Sequence, residues 1–445
     1  MEPIRVTTRA ERLKCLEAAH NNLFFVPARD VMIDLLTDSG TGSLSAGQWA
    51  GMMMADESYA AADSWFRFEA AVQDIFGFDH VIPTHQGRAA EHLLFKVLLK
   101  DKDKNSDTAA LDPKDLIVPS NTHFDTTRAN IEDRKTKALD IPCPESKRLS
   151  EELPFKGNMD TVALTQLLEE QGERIPFVMI TITNNAAGGQ PVSLANLREV
   201  QKLCQQHKKP FYIDACRFAE NAYFIQQREH PEMTIRQIVR EIFALADGCT
   251  MSAKKDGLSN MGGFLALRDA KLAQVFRTRL VVTEGFPTYG GLSGRDLESV
   301  AVGLYEALDP NYLKNRVGTI DYVVKALQKR GIPVLTPAGG HAIFLDAKRF
   351  CPDMQFPGQA VALELYIQGG IRACEIGSVM FEGVAPHELV RMAVPRRTYT
   401  QSHFDYLVDV IQQVWQRRES IADVKITYDP PVLRHFSAHF ERVTS

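Results

Sequence analysis

Two adjacent lysines, Lys254 and Lys255, follow the run Gly248-Cys249-Thr250-Met251-Ser252-Ala253 and precede Asp256-Gly257-Leu258. A lysine held where water is scarce loses part of its preference for the charged form, and a neutral amine attacks aldehydes. Lys255 is therefore the candidate to hold a carbonyl cofactor as a Schiff base. Upstream, Pro210-Phe211-Tyr212-Ile213-Asp214 ends an apolar run on an aspartate, with Cys216 and Arg217 just beyond. A third element is Thr84-His85-Gln86-Gly87-Arg88, which leads straight into a helical pattern. Free N–H groups at a helix start, a glycine that allows close approach and an arginine make a cradle for phosphate. Pyridoxal phosphate needs all three parts: a carboxylate to keep its ring nitrogen protonated, a lysine for its aldehyde and a cradle for its phosphate. Asn185 or Arg217 could donate toward the ring oxygen, and Phe124 could lie on the ring face. Each residue alone has a plainer reading, as a solvated lysine pair, a capping aspartate, a surface arginine or a core phenylalanine.

The elements that must position these groups follow from the apolar pattern. Residues 176–183, 210–214 and the stretch before the lysines read as buried strands, separated by helices over 191–207 and 235–246. Strands alternating with helices give an α/β fold with a mainly parallel sheet covered on both faces. Ligands in such sheets sit beyond the carboxyl ends of the strands, where Asn184, Asn185, Asp214, Arg217 and Lys255 all fall. Residues 44–310 are read as this large domain, and residues 1–43 with 311–445 as a smaller α+β domain with an N-terminal arm. The polar stretch from Lys100 to Lys114 reads as a surface insertion.

Composition narrows the class. With 44% hydrophobic and 24% charged residues and a formal net charge of −5, the chain offers no basic surface for nucleic acid. The N-terminal stretch lacks a signal-type apolar core and no apolar run spans a bilayer, so a cytoplasmic enzyme acting on a small molecule is expected. Seven scattered cysteines without C-x-x-C spacing suggest neither a disulfide framework nor zinc. Cys216 reads as a buried, inert thiol rather than a reactive one.

The segments LLTDSGT, QWAGMMMADESYA, PTHQGRAAE, FDTTRAN, NNAAGGQPVSLANL, RFAENAYFI, MSAKKDGL, EGFPTYGGL and PRRTYTQSH resemble the β-eliminating lyases, the family of tryptophanase and tyrosine phenol-lyase. The resemblance runs from about residue 5 to about residue 440. It implies a fold-type I pyridoxal-phosphate enzyme of the aspartate aminotransferase kind, assembled as a homotetramer whose active sites are shared across a dimer. On the matching positions, Lys255 resembles the Schiff-base lysine; Gln86, Gly87, Arg88 and Ser252 the phosphate ligands, with Lys254 beside them; Asp214 the partner of the ring nitrogen; Asn185 and Arg217 those of the ring oxygen; and Phe124 the stacking ring. Arg396, with Thr37 or Ser39, would grip the substrate carboxylate, which a guanidinium fork suits. Tyr59 resembles a catalytic acid lent by the neighbouring subunit. Glu57, Asn260 and the backbone of Gly40 resemble a monovalent-cation site, usually potassium.

Three places separate the two branches. Asp125, Ile376 and the pair His435-Phe436 look like the branch that cleaves L-tryptophan to indole, pyruvate and ammonia. An apolar Ile376 where the phenol-releasing branch has an arginine suits the larger indole, and Asp125 could accept from its N–H. The chain departs from the family pattern at Ala89, where a glycine is common, and after Ile376, where residues 377–386 form a shorter loop.

Overall fold

The computed structural model describes residues 5–99, 111–381, 385 and 387–443. Most of the 100–114 stretch and part of the 377–386 loop therefore lie outside the described residues. The chain forms two compact units, one of Ser39–Ser146 and Leu153–Arg316, the other of Met1–Asp38, Lys147–Glu152 and Val317–Ser445.

The first unit is built on a five-stranded sheet in the order His80–Thr84, Gly263–Leu267, Gly248–Ser252, Phe211–Asp214, Val178–Thr181. Four strands run in one direction, and Gly263–Leu267 runs against both of its neighbours. Consecutive residues enter different apolar clusters: Val178, Ile180 and Ile213 pack on one side, Met179 and Tyr212 on the other. Both faces are covered, which is why these strands read as continuous apolar runs rather than alternating ones. The helix Ile235–Ala244 shows the complementary logic. Thr234 and Gln237 close a capping box at its start, and Ile235, Ile238, Val239, Ile242 and Phe243 form its buried stripe.

A second parallel pair, Ile117–Ser120 with Lys137–Asp140, continues beside the sheet. The join is a side chain: Asn121 accepts from the Thr181 amide at 2.9 Å and donates to the Thr181 carbonyl at 3.0 Å, imitating a strand neighbour. The sequence reading did not identify this pair.

The second unit carries a three-stranded antiparallel sheet, Cys374–Ile376, Leu389–Ala393, Ala342–Asp346, in that order. Against it lies the helix Pro357–Gly369, buried along nearly its whole length. It starts with proline at its first turn and ends where Gly370 takes φ +65°. Glu364 on this helix is held by Arg417 at 3.0 Å and Arg442 at 2.6 Å.

Candidate active site

The parallel register places three strand ends side by side, with Thr181 opposite Asp214 and Asp214 opposite Thr250. Beyond the first end, Asn184 is fixed by its backbone bond to Gln190 and by the Thr122 hydroxyl, and Asn185 follows, buried. Asp214 is the last residue of its strand, and its Oδ1 accepts from the Cys216 amide at 3.2 Å. Arg217 caps the helix Phe218–Arg228 and is itself buried. Lys255 follows the third end, in a loop whose neighbour Asp256 accepts from the amides of Ala219 at 2.9 Å and Glu220 at 3.1 Å. That cap ties the lysine loop to the helix that begins at Arg217, a link between positions 36 and 37 residues apart. Burial pushes the Cys216 thiol well up, and the charge of Asp214 adds to it, so the thiol stays protonated.

The candidate phosphate cradle, Gln86–Arg88, lies at the same edge. The strand His80–Thr84 points the same way as the other three, and Gln86 bridges to Gly262. Gln86 places no side-chain cap on the helix Gly87–Leu98. A Cβ on Gly87 would stand 2.4 Å from the Ser252 Cβ, and one on Gly263 only 2.6 Å from the Gly87 amide nitrogen. Two glycines thus bring the helix start against Ser252, which is buried. Burial holds the Lys254 ammonium below its ordinary range, and Lys255 and Arg88 add to the effect. Three cations crowding an uncapped helix start suit a dianionic phosphate, so these residues fit pyridoxal phosphate. Lys254 also anchors Gly40: the Gly40 amide donates to its carbonyl at 2.7 Å, and Asn260 donates to the carbonyls of Gly40 and Gly42 at 3.0 Å each.

Phe124 caps the helix Asp125–Glu132. Asp125 is buried, and its Oδ1 accepts from the Thr126 amide at 2.6 Å. Two residues on, the Thr127 hydroxyl donates to Glu91 Oε1 at 2.7 Å. Beneath this turn, His123 Nδ1 lies 2.7 Å from Asp140 Oδ1, while Arg128 holds the other oxygen at 2.6 Å. Burial, then the charge of Asp214, pushes Glu91 up to about 8, although Lys255 and Arg88 pull the other way. Glu91 thus feels the charges of three site residues at once.

Tyr59 is 69% exposed, its ring 5.5 Å from the rings of Phe286 and Tyr289. Glu57 accepts from the Gly294 amide at 3.0 Å, so it caps a helix start, whereas Asn260 and Gly40 meet each other. In the second unit, Arg396 is buried and donates to Asp38 Oδ2 at 2.9 Å, one position past Thr37. Ile376 lies in an apolar cluster with Leu335, Phe344 and Leu389. The rings of His435 and Phe436 lie tilted at 39° with centroids 3.9 Å apart, and Phe24 meets both rings edge-on.

The sequence reading missed Asp38, Phe24, Glu91, Thr127 and Asp256. Asp38 and Asp256 adjoin residues already singled out, and Glu91 stands three positions after Arg88; an acidic residue one position or one helical turn from a site residue was the available signal.

The family profile of β-eliminating lyases matches residues 34–410. A tryptophanase of Hyphomonas neptunium is 54% identical over all of this chain and 97% of its own length. The chain belongs to the β-eliminating lyase family. A tyrosine phenol-lyase of Symbiobacterium thermophilum is 43% identical, again over the whole chain and 97% of that protein. Among solved structures, a Sphingomonas wittichii serine palmitoyltransferase superposes with a TM-score of 0.64 at 12% identity, covering 93% of this chain and 97% of that one. This lyase therefore has the fold-type I architecture expected from its sequence and is pyridoxal-phosphate-dependent. No helix of the lyase is long and apolar enough to cross a membrane, among the described residues.

Proposed function

We propose that this lyase cleaves L-tryptophan to indole, pyruvate and ammonia. The observation that carries the reading is the meeting of Lys255, Asp214 and the Gln86–Arg88 cradle in one electrostatic neighbourhood, where Glu91 feels all three. The greater identity to a tryptophanase than to a tyrosine phenol-lyase favours indole over phenol.

When bound, pyridoxal phosphate supplies an electron sink for a carbanion at the substrate α-carbon. Lys255 would hold the cofactor aldehyde, and its Nζ, once free, would take the substrate α-proton. Asp214 would keep the proton on the ring nitrogen, Asn185 and Arg217 would serve the ring oxygen, and Phe124 would lie against the ring. Ser252, Lys254 and the cradle would hold the phosphate. Arg396 receives the substrate carboxylate with Thr37 or Ser39, its guanidinium preset by Asp38. Asp125 accepts from the indole N–H, Ile376 and Phe436 meet its apolar surface, and Tyr59 with His435 delivers the proton to indole C3.

Tyr59 acts, in this proposal, in the site of a second copy within a homotetramer. Its exposure supports this, as does that of Trp49, Met53, Met54 and Phe66 on the neighbouring helices, since apolar groups of this size are seldom left bare together. A potassium ion is proposed at Glu57, Asn260 and the backbone of Gly40. Cytoplasmic location goes with the reading.

The test is direct. Purified protein with pyridoxal phosphate and potassium should release indole and pyruvate from L-tryptophan faster than phenol from L-tyrosine at equal concentration. Phenol as the faster product would keep the family and overturn the choice of substrate.

A further inference from the structure

We propose that Glu91 is a positioning residue of this site: through Thr127 it fixes the turn that carries Phe124 and Asp125, and through its own carboxyl it sets the charge that Asp214 presents to the cofactor ring. The inference rests on the cofactor site proposed above.

The geometry stands on two helices. Glu91 lies three residues beyond Arg88 on the helix Gly87–Leu98, on the turn that follows the cradle. It is 7% exposed, and the Thr127 hydroxyl that donates to it is buried as well. Thr127 is the third residue of the helix capped by Phe124, so this one bond couples the phosphate end of the site to the ring face. A hydrogen bond between two buried side chains is costly to leave unmade, which gives the coupling its strength. Other bonds of this segment, through Asn121 and Asp140, reach toward other strands. Glu91 is a tie to the cradle.

The charges that face Glu91 complete the argument. Asp214 comes from the strand Phe211–Asp214, Lys255 from the loop after Gly248–Ser252, and Arg88 from the same helix as Glu91; the Asp125–Glu132 helix contributes the Thr127 hydroxyl. Burial and Asp214 together push Glu91 up to about 8. Near neutral pH it is therefore an acid without charge. As pH rises through about 8, Glu91 ionises and a second carboxylate charge appears beside Asp214. That charge repels Asp214 and strengthens the hold on the ring-nitrogen proton.

The experiment measures pyridoxal-phosphate affinity and the circular dichroism of the bound cofactor from pH 6 to 9.5, without substrate, in three proteins. The original protein should change in both near pH 8. Glu91→Gln keeps an acceptor for Thr127 but cannot ionise, so it should match the original at pH 6.5 and lose that inflection. Thr127→Val removes the tie and leaves the charge, so it should bind cofactor about tenfold more weakly at every pH with the inflection retained. A Glu91→Gln curve that overlays the original, or a Thr127→Val protein with unaltered affinity and dichroism, overturns the proposal. An original protein that takes up no cofactor overturns the site itself, a result distinct from either.

Discussion

Glu91 in one unit and Glu375 in the other are buried carboxyls driven up to about 8, burial being the largest cause for both. Their surroundings differ. Around Glu91 stand Asp214, Lys255 and Arg88, groups on which a ligand acts, and its hydrogen-bond donor is a side chain. Glu375 instead accepts from the backbone amides of Val379 and Met380, and its charged neighbours are Glu388 and Arg434. Gly377 runs between the two carboxyls, where an added Cβ would meet both, and Ser378 donates to Glu388. The same perturbed acid thus stands among candidate cofactor groups in one place and pins a loop in the other. A shifted titration by itself does not mark a functional residue; the neighbours decide.

Removing a neighbour breaks the comparison most strongly at Lys255. Lys255→Ala should lower indole release by about 10⁴-fold, the upper end for a proton-transfer group, and near-normal turnover would strip the Glu91 neighbourhood of its chemical meaning. Turnover in Asp214→Asn should fall about 10²- to 10³-fold, as when a preorganised charge is lost. The same change removes the negative charge facing Glu91, so the pH inflection of cofactor binding should move down; an unmoved inflection would mean that the two carboxyls do not sense each other.

Met53→Glu, placed on the exposed apolar face near Tyr59, should dissociate the assembly in sedimentation equilibrium and lower turnover while each chain still binds cofactor. An intact tetramer would remove the support drawn from that face.

The smallest effect is expected at Glu375. Its folded-state pKa lies above the ordinary carboxyl value of 4.5, so the folded chain binds the proton more tightly than the unfolded one. The stability this contributes is fully present below about 4.5 and is lost as pH rises through about 8. Glu375→Gln should raise Tm by about 2 °C or more at pH 9 and by less at pH 5, without altering cofactor binding. A rise that is equal at both pH values would show that Glu375 is not titrating.

How much of this could be read from the chain follows the same division. Asp214, Lys255 and Gln86–Arg88 were legible because each ends a continuous apolar run, and the ends of parallel strands must meet once the strands pair. The apolar period also marked helices such as Ile235–Ala244. Asp256, Thr127 and Asp38 were not legible as site residues: each acts through hydrogen bonds to groups 36 or more positions away, and no periodicity encodes such a partner. The strands Ile117–Ser120 and Lys137–Asp140 were missed for a related cause, since their link to the main sheet runs through the side chain of Asn121.

The close passage of Gly87 against Ser252 carries one more consequence. The width of the phosphate cradle is gauged by atomic radii at a place where a side chain is missing, not by a bond that salt, acid or heat can loosen. Such a gauge keeps its setting for as long as the sheet itself holds. It also leaves mutation no gradual route: the smallest possible enlargement at position 87 already overlaps Ser252, so in a randomised library that site should return glycine and little else.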